Sequence, residues 1–301
     1  MNPAVASTPL LTIAVSTIGA NLAGIVLPPP NPEVRYLVVI QRPGSAKAFP
    51  QPPRQDVRYV GLDSVGLSRS RNAALALVDT PLMLLADDDL VFDIEAILHA
   101  ARELSSQGVD FAVGQLTQGP SREVRVSWPL DRSPTEHDTG MFASCEMLFD
   151  VRKLRAFGLA FDPDFGVGSG VHPAGEESFF MLHLLRAGAR GIFVPHVLVH
   201  HEEMSSGYRY LGVRGAVGAM TFAQTLRPRP WPVLRRLRYV VRRKDIPLWD
   251  KFQVVCSPSP RIAPRAFDAT YDPASVIYDG TGAQEGVGPL LAAVVSVEGR
   301  S

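Results

Sequence analysis

Three groups of acidic and histidine residues have the types and spacing that metal binding and proton transfer require. Three consecutive aspartates, 87–89, directly follow the apolar segment 82–86. A glutamate pair, 176–177, begins a segment in which apolar residues recur at helical spacing. A histidine pair, 200–201, ends another apolar segment and precedes two glutamates. Carboxylates and imidazoles serve as metal ligands and as proton acceptors, so a metal-assisted reaction is the chemistry that they suggest.

The aspartates follow a predicted strand, and ligands of open α/β sheets bind outside the carboxyl ends of strands. Adjacent carboxylates repel one another, and a divalent cation relieves that repulsion. Asp87 and Asp89 are therefore candidate metal ligands that leave coordination positions for a diphosphate. The triplet alone leaves open a second interpretation, a solvated acidic turn.

The other two groups each have a functional and a structural interpretation. Glu176 or Glu177 could accept a proton from a hydroxyl nucleophile, but the helix dipole also favours acids in a first turn. One of His200 and His201 could complete an oxygen-rich metal shell, although such a pair most often lies at the surface. Both are not expected to bind one ion, because adjacent strand residues point to opposite faces.

The segment 66–72, Gly-Leu-Ser-Arg-Ser-Arg-Asn, predicts the start of a helix. Free backbone amides there, together with Arg69 or Arg71, would suit a phosphate. Capping of the helix by Ser68 explains the same residues equally well.

Strands and helices alternate along the first two thirds of the chain and must position these groups. Helices are predicted near 72–78, 94–104 and 176–186. Continuous apolar segments suit strands that are covered on both faces, as in a parallel sheet. The prediction is an α/β layered fold, with a mostly parallel central sheet and helices on both faces. The predicted strands are 11–16, 35–40, 57–60, 82–86, 111–113 and 192–200.

Composition narrows the class of protein. The 301 residues are 46% hydrophobic, which is enough to bury a sizeable core. Thirty basic and thirty acidic residues give no net charge, so electrostatics make no case for nucleic acid as a partner. Two cysteines cannot form a disulfide framework. No apolar segment predicts a spanning helix or a signal peptide, so a cytoplasmic location is expected.

Taken in order along residues 10–205, the motifs resemble those of a family 2-type glycosyltransferase with the GT-A fold. They are VSTIG, GLSRSRNAAL, LMLLADDDLVF, FDPDFGVGSG, GEESFFMLHLLRAGARGIFVP and VLVHHE. Each motif is moderately specific, and their order decides the interpretation. The resemblance implies a hexosyltransferase-like enzyme of polysaccharide biosynthesis. It also implies a nucleotide-sugar donor, a saccharide or lipid-linked acceptor and a divalent metal, Mn²⁺ or Mg²⁺.

On the donor side, the resemblance implies roles for six residues. Asp87 and Asp89 match the ends of the family's Asp-x-Asp motif, which meets the metal–diphosphate and the ribose or sugar. Asp88 lies between them and is implied to contact the sugar. The remaining matches are Ser16 and Thr17 near the nucleotide, and Arg71 as the basic residue of the helix start.

On the catalytic side, Glu177 matches the acid that serves as general base in an inverting transfer. The family usually has a Glu-Asp pair there, so the Glu-Glu pair of this chain keeps Glu176 as a rival. His200 or His201 matches the histidine that closes over the metal or diphosphate, with His200 preferred. Residues 41–44, Gln-Arg-Pro-Gly, replace a turn that often holds the base, so the nucleotide base stays open.

Two alternatives belong to other classes. Asp87 also fits the nucleophile of a haloacid-dehalogenase-like phosphatase, which would additionally need a lysine, and Lys153 is the one candidate between Lys47 and Lys244. The second alternative is a non-catalytic scaffold that binds a nucleotide or a membrane. Intact acids at both 87–89 and 176–177 disfavour a scaffold.

Three regions are predicted: a GT-A-like domain at 1–205, a helical basic and aromatic extension at 206–245, and a tail rich in proline and glycine at 246–301. Eight basic residues lie between Arg227 and Lys244 with apolar and aromatic residues interleaved. Such a segment suits an anionic membrane surface, which predicts peripheral attachment at most. A solvated basic face explains it equally well.

Overall fold

The computed structural model describes residues 8–46, 54–202, 211–228, 230–260 and 262–268, and the backbone of 275–278. Within these residues, strands and helices alternate as the sequence predicts. The α-helices are α1 (Leu67–Leu77), α2 (Ile94–Gln107), α3 (Val151–Ala156), α4 (Glu176–Arg186), α5 (Gly212–Leu226), α6 (Pro232–Arg242) and α7 (Leu248–Cys256). The strands are β1 (Leu11–Ile18), β2 (Val34–Gln41), β3 (Val57–Leu62), β4 (Leu82–Asp87), β5 (Leu90–Phe92), β6 (Phe111–Gln118), β7 (Glu123–Val124), β8 (Met147–Asp150), β9 (Leu159–Ala160), β10 (Gly191–His201), β11 (Arg265–Ala266) and β12 (Ser275–Tyr278).

One large sheet organises the described residues, in the order β12-β3-β2-β1-β4-β8-β6-β10-β5 with β7 beside β6. Strands β3, β2, β1 and β4 are parallel neighbours, and β10 is parallel to β6. Strand β8 lies between β4 and β6 and is antiparallel to both. The sheet is therefore mixed: the expected parallel pairing holds for β3-β2-β1-β4 and for β6 with β10, and the other pairs are antiparallel.

Helices cover both faces of the sheet. On β1, Ile13 and Val15 pack into a core with α2, whereas Ala14 between them packs into a second core with α1, α3 and α4. Because successive strand residues point to opposite faces, a strand buried on both sides must be apolar throughout. The prediction of an α/β layered fold is confirmed. Burial on both faces of the sheet explains why the strand segments are continuously apolar.

The C-terminal part adds three helices and two short strands. Helices α5, α6 and α7 share a small core of Ala216, Val240, Ile246 and Val254. Strand β11 pairs with β9, and β12 adds an antiparallel strand to the β3 edge of the large sheet. The proposed division at 205 and 245 stays a prediction. None of the helices in the described ranges is long and apolar enough to cross a membrane.

Candidate active site

The three aspartates lie at the carboxyl end of β4, next to the end of β1. Asp87 is the register partner of Ser16, which is buried. The following turn carries Asp88, whose Oδ2 accepts a hydrogen bond from Thr17 Oγ1 at 2.5 Å. Thr17 thus fixes the middle aspartate of the triplet. The parallel pairing of β1 and β4 therefore brings Ser16 and Thr17 close to Asp87 and Asp88, and Asp89 follows in the same turn.

The end of β10 supplies the histidines, and they face different neighbours. His201 Nε2 lies 3.0 Å from Asp89 Oδ2. His200 is buried, and its Nδ1 lies 3.1 Å from Thr117 Oγ1 on β6. Adjacent strand residues point to opposite faces, so only one histidine can reach the aspartates. The sequence analysis preferred His200, but in the structure it is His201 that contacts the aspartates.

Arg71 of α1 connects the aspartates to the glutamate pair. Its guanidinium lies 3.0 Å from Glu176 Oε1, 3.1 Å from Glu177 Oε1 and 3.6 Å from Asp87 Oδ1. It also donates to Ser144 Oγ at 2.8 Å. The side chain is only 2% exposed, so these partners replace the water that a guanidinium would otherwise bind. In this structure Arg71 is directed at carboxylates; that it binds a nucleotide stays a prediction.

The loop 161–168 is bound to the start of α1. Ser68 Oγ donates to the Phe165 carbonyl at 2.7 Å, and Leu67 N donates to the Val167 carbonyl at 2.9 Å. Gly66, with a φ of 136°, is the N-cap of α1. Ser68 therefore does not cap the helix, because its hydroxyl binds the loop instead. These contacts fix the start of α1, which carries Arg71, against the loop that precedes α4.

The two glutamates in the first turn of α4 have different surroundings. Glu176 is 4% exposed, and its Oε2 has no hydrogen-bond partner. Burial, together with the neighbouring Glu177 charge, raises the pKa of Glu176 to about 8, although Arg71 opposes that shift. The Glu177 side chain is 19% exposed and reaches solvent beside Arg71. Glu177 is thus the more accessible of the two candidate bases.

The charges at the site also perturb Asp87 and Arg71. The pKa of Asp87 is raised by burial and by the Glu177, Asp89 and Asp88 charges, against the attraction of Arg71. Three carboxylates keep the pKa of Arg71 above its usual value despite the desolvation that lowers it. The three aspartates and Glu177 outnumber the single guanidinium of Arg71, and this excess of acidic groups favours a cationic ligand at the aspartates.

The donor types at the end of β4 and β10 suit a hard divalent cation. Carboxylate oxygens with one imidazole are ligands that Mn²⁺ and Mg²⁺ accept. Asp89 and His201 are already in contact, whereas Asp87 lies beside Arg71. Among the described residues, no group of three or more such side chains is preassembled around one point. The residues fit a metal chemically, with substrate oxygens needed to complete a shell.

Two hydrogen-bond partners of the predicted site residues were not themselves predicted from the sequence. Ser144 binds Arg71, and Thr117 binds His200. Neither lies in a motif, and isolated hydroxyl residues carry no pattern from which a contact 73 or 83 residues away could be inferred. Lys153, which the phosphatase alternative needs, instead donates to the carbonyls of Gly108 and Val109.

Comparison with known proteins supports the same family. Residues 44–156 match the model of glycosyl transferase family 2. Among curated protein sequences, none matches this chain significantly. The structure of S. aureus TarS residues 1–349 in complex with UDP-GlcNAc is similar at a TM-score of 0.50 and 12% identity, over 82% of this chain and 70% of that one.

A second similar structure is the mannosyltransferase PcManGT from Pyrobaculum calidifontis in complex with GDP-Man and Mn²⁺. It has a TM-score of 0.46 and 15% identity, over 83% of this chain and 68% of that one. The resemblance to family 2 glycosyltransferases is confirmed by the family match, and the GT-A fold by the likeness to TarS. The family match gives no support to the phosphatase.

Proposed function

We propose that this protein transfers a sugar from a nucleotide-diphosphate donor to a saccharide or lipid-linked acceptor, with inversion of configuration. The observation that carries the proposal is the bridge that Arg71 makes between Asp87 and the glutamate pair. In this bridge Asp87, which is expected to face a diphosphate, and Glu177, a candidate proton acceptor, contact the same guanidinium. The family match over 44–156 supports the same reaction class.

Asp87, Asp89 and His201 would hold a divalent cation at this site. When bound, the cation would neutralise charge on the departing diphosphate. Thr17 keeps Asp88 at the edge of the donor site through its hydrogen bond. Ser16 lies beside Asp87, where the nucleotide is expected.

Glu177 is the proposed general base, because its carboxylate is the one of the pair that reaches solvent. It would remove the acceptor hydroxyl proton as the oxygen attacks the anomeric carbon opposite the leaving diphosphate. Glu176, with a pKa of about 8, is held mainly protonated at neutral pH and is a poorer acceptor. A single displacement of this kind inverts the anomeric configuration, and a product with retained configuration would exclude it.

Donor binding tests the proposal directly. Thermal melting is measured with UDP-, GDP- and dTDP-sugars, each with and without Mn²⁺, because a ligand of the native state raises the melting temperature. We expect one nucleotide class to raise it in a metal-dependent way, and Asp89→Ala to remove the shift. Asp79→Ala is the matched control, since Asp79 is exposed and precedes the opposite end of β4. If no donor shifts the melting temperature at saturating concentrations, the proposal is wrong.

A further inference from the structure

Helices α6 and α7 expose large apolar side chains. On α6, Leu234, Leu237 and Val241 are exposed, and their i, i+3, i+7 spacing puts them on one stripe. On α7, Trp249 and Phe252 are 67% and 58% exposed and stack with their ring centroids 5.6 Å apart. We call these five residues, together with the 85% exposed Leu248, the α6–α7 face.

Residues outside the α6–α7 face make the contacts that hold the two helices in place. Val240 of α6 and Val254 of α7 belong to the small core that these helices share with α5. Arg236 of α6 donates to the Val254 carbonyl at 3.2 Å and to Ser259 Oγ at 2.7 Å, which ties α6 to the end of α7. The helices are therefore oriented by other residues, and the apolar side chains of the face point away from that packing.

Positive charge is concentrated beside the face. The segment 227–244 holds eight basic and no acidic residues, although the whole chain carries no net charge. Arg238 and Arg242 are exposed and follow Leu234 at intervals of four residues, so they flank the apolar stripe. Lys244 is exposed just after the helix. Apolar and aromatic residues next to a basic flank match the chemistry of an anionic lipid surface.

We propose that the α6–α7 face binds an anionic lipid bilayer. Trp249 and Phe252 enter the interfacial region, where aromatic side chains are stable, and Arg238 and Arg242 contact the headgroups. A second copy of the chain is a poorer occupant, because a two-fold interface would bring two basic flanks of the same kind together. The inference does not rest on the sugar-transfer proposal, and either can fail without the other.

Vesicle sedimentation tests the proposal with the full chain. Vesicles of phosphatidylcholine alone are compared with vesicles that also contain phosphatidylserine, at low and at high salt. We expect binding to the anionic vesicles at low salt and loss of most of that binding at high salt, because headgroup attraction is screened. A protein that stays in the supernatant with anionic vesicles at low salt overturns the proposal.

Paired variants separate the two contributions. Trp249→Ala/Phe252→Ala should lower vesicle partitioning about tenfold or more, whereas Val26→Ala, at an exposed apolar residue outside these helices, should leave it unchanged. Arg238→Glu/Arg242→Glu should also lower it about tenfold or more, with Arg152→Glu on α3 as the control. Equal partitioning of both double variants and their controls would contradict the assignment of this face.

Tryptophan fluorescence shows whether the face enters the bilayer. Trp128 is buried, whereas Trp231 and Trp249 are exposed, so a Trp231→Phe variant leaves Trp249 as the exposed reporter. Lipids brominated on their acyl chains should quench it in anionic vesicles. Vesicle binding without quenching would overturn insertion of α7, and dimerisation that Trp249→Ala/Phe252→Ala abolishes would assign the face to a second copy instead.

Discussion

Glu176 and Glu177 are adjacent, yet the fold gives them different environments. Glu176 points into the protein against Gly166 and Arg71, while Glu177 reaches the surface of the site. An acid that keeps its proton to about pH 8 and an accessible carboxylate have different capacities to accept a proton. We therefore expect Glu176 to be structural and Glu177 to be the reactive member of the pair.

Glu177→Gln should lower kcat by about 10²–10⁴-fold and leave the donor-induced melting shift in place, because a base acts on the acceptor and not on donor binding. Turnover and thermal melting are measured on the same variant. Glu95→Gln is the matched control, since Glu95 is an exposed acid in the first turn of α2. Near-native turnover of Glu177→Gln would assign the base elsewhere.

Glu176 should make stability depend on pH. Its folded pKa of about 8 lies above the ordinary value of 4.5, so the folded state holds a proton that the unfolded state releases between these values. The stabilisation is complete below pH 4.5 and is lost as pH rises to 8, at up to about 1.4 kcal/mol per pH unit. Glu176→Gln should remove this part of the slope.

Urea unfolding at several pH values between 5 and 8.5, at roughly unit intervals, compares the native protein with Glu176→Gln. As pH rises, the free energy of unfolding of the native protein should fall relative to that of Glu176→Gln. A difference that is constant with pH would show that Glu176 is ionised in the folded protein.

The sequence predicted the acids and histidines of the candidate site, but it did not predict which histidine contacts the aspartates. Strand β10 contains register shifts between Phe193 and Val197 and between Val197 and Val199. In a regular strand the side chains alternate between the two faces of the sheet, and such irregularities interrupt that alternation. The face on which a residue lies can then no longer be predicted by counting along the strand. The choice of His201 over His200 therefore required the pairing of β10 with β5 and β6.

At the scale of elements, the predicted strands and helices correspond closely to those observed. The predicted strand 82–86 corresponds to β4, Leu82–Asp87, and the predicted helix 176–186 corresponds to α4, Glu176–Arg186. Long apolar segments and clear helical spacing explain this success. Six strands were not predicted, since two to four residues give no usable periodicity: β5, β7, β8, β9, β11 and β12.

The loop before α4 depends on Gly166, which has a φ of +98°, and a Cβ there would lie 3.0 Å from Glu176 Cδ. Gly166→Ala should therefore destabilise the fold by about 2–3 kcal/mol, from backbone strain and crowding together. Gly170→Ala is the control, because its φ of +74° carries strain while nothing lies within 4 Å. Urea unfolding of both variants checks this, and equal losses would show that contact with Glu176 contributes nothing.

At the scale of the whole molecule, the sequence predicted the layers but not the order of strands. Placement of antiparallel β8 between β4 and β6 follows from long-range pairing, which local periodicity does not encode. The same holds for β12, which comes from the far end of the chain and covers the edge of β3.

A chain that ends at residue 260 should lose stability and aggregate on heating, because it lacks β11 and β12 and leaves β3 as an uncovered edge. A chain that ends at residue 278 keeps both strands and is the matched control. Melting temperature and light scattering are measured on the two chains. Identical behaviour would show that covering β3 contributes nothing measurable.

Arg71 makes several positions of this protein mutually dependent. One buried guanidinium has carboxylate partners at the end of β4 and at the start of α4, and a hydroxyl partner just before β8. These partners share the one positive charge of Arg71, so the loss of any of them changes the interaction of the charge with the rest. The changes in the free energy of unfolding caused by substitutions at these positions will therefore not be additive. A lineage that exchanged one of these residues would then need compensating exchanges at the rest, and the four segments would evolve as a unit.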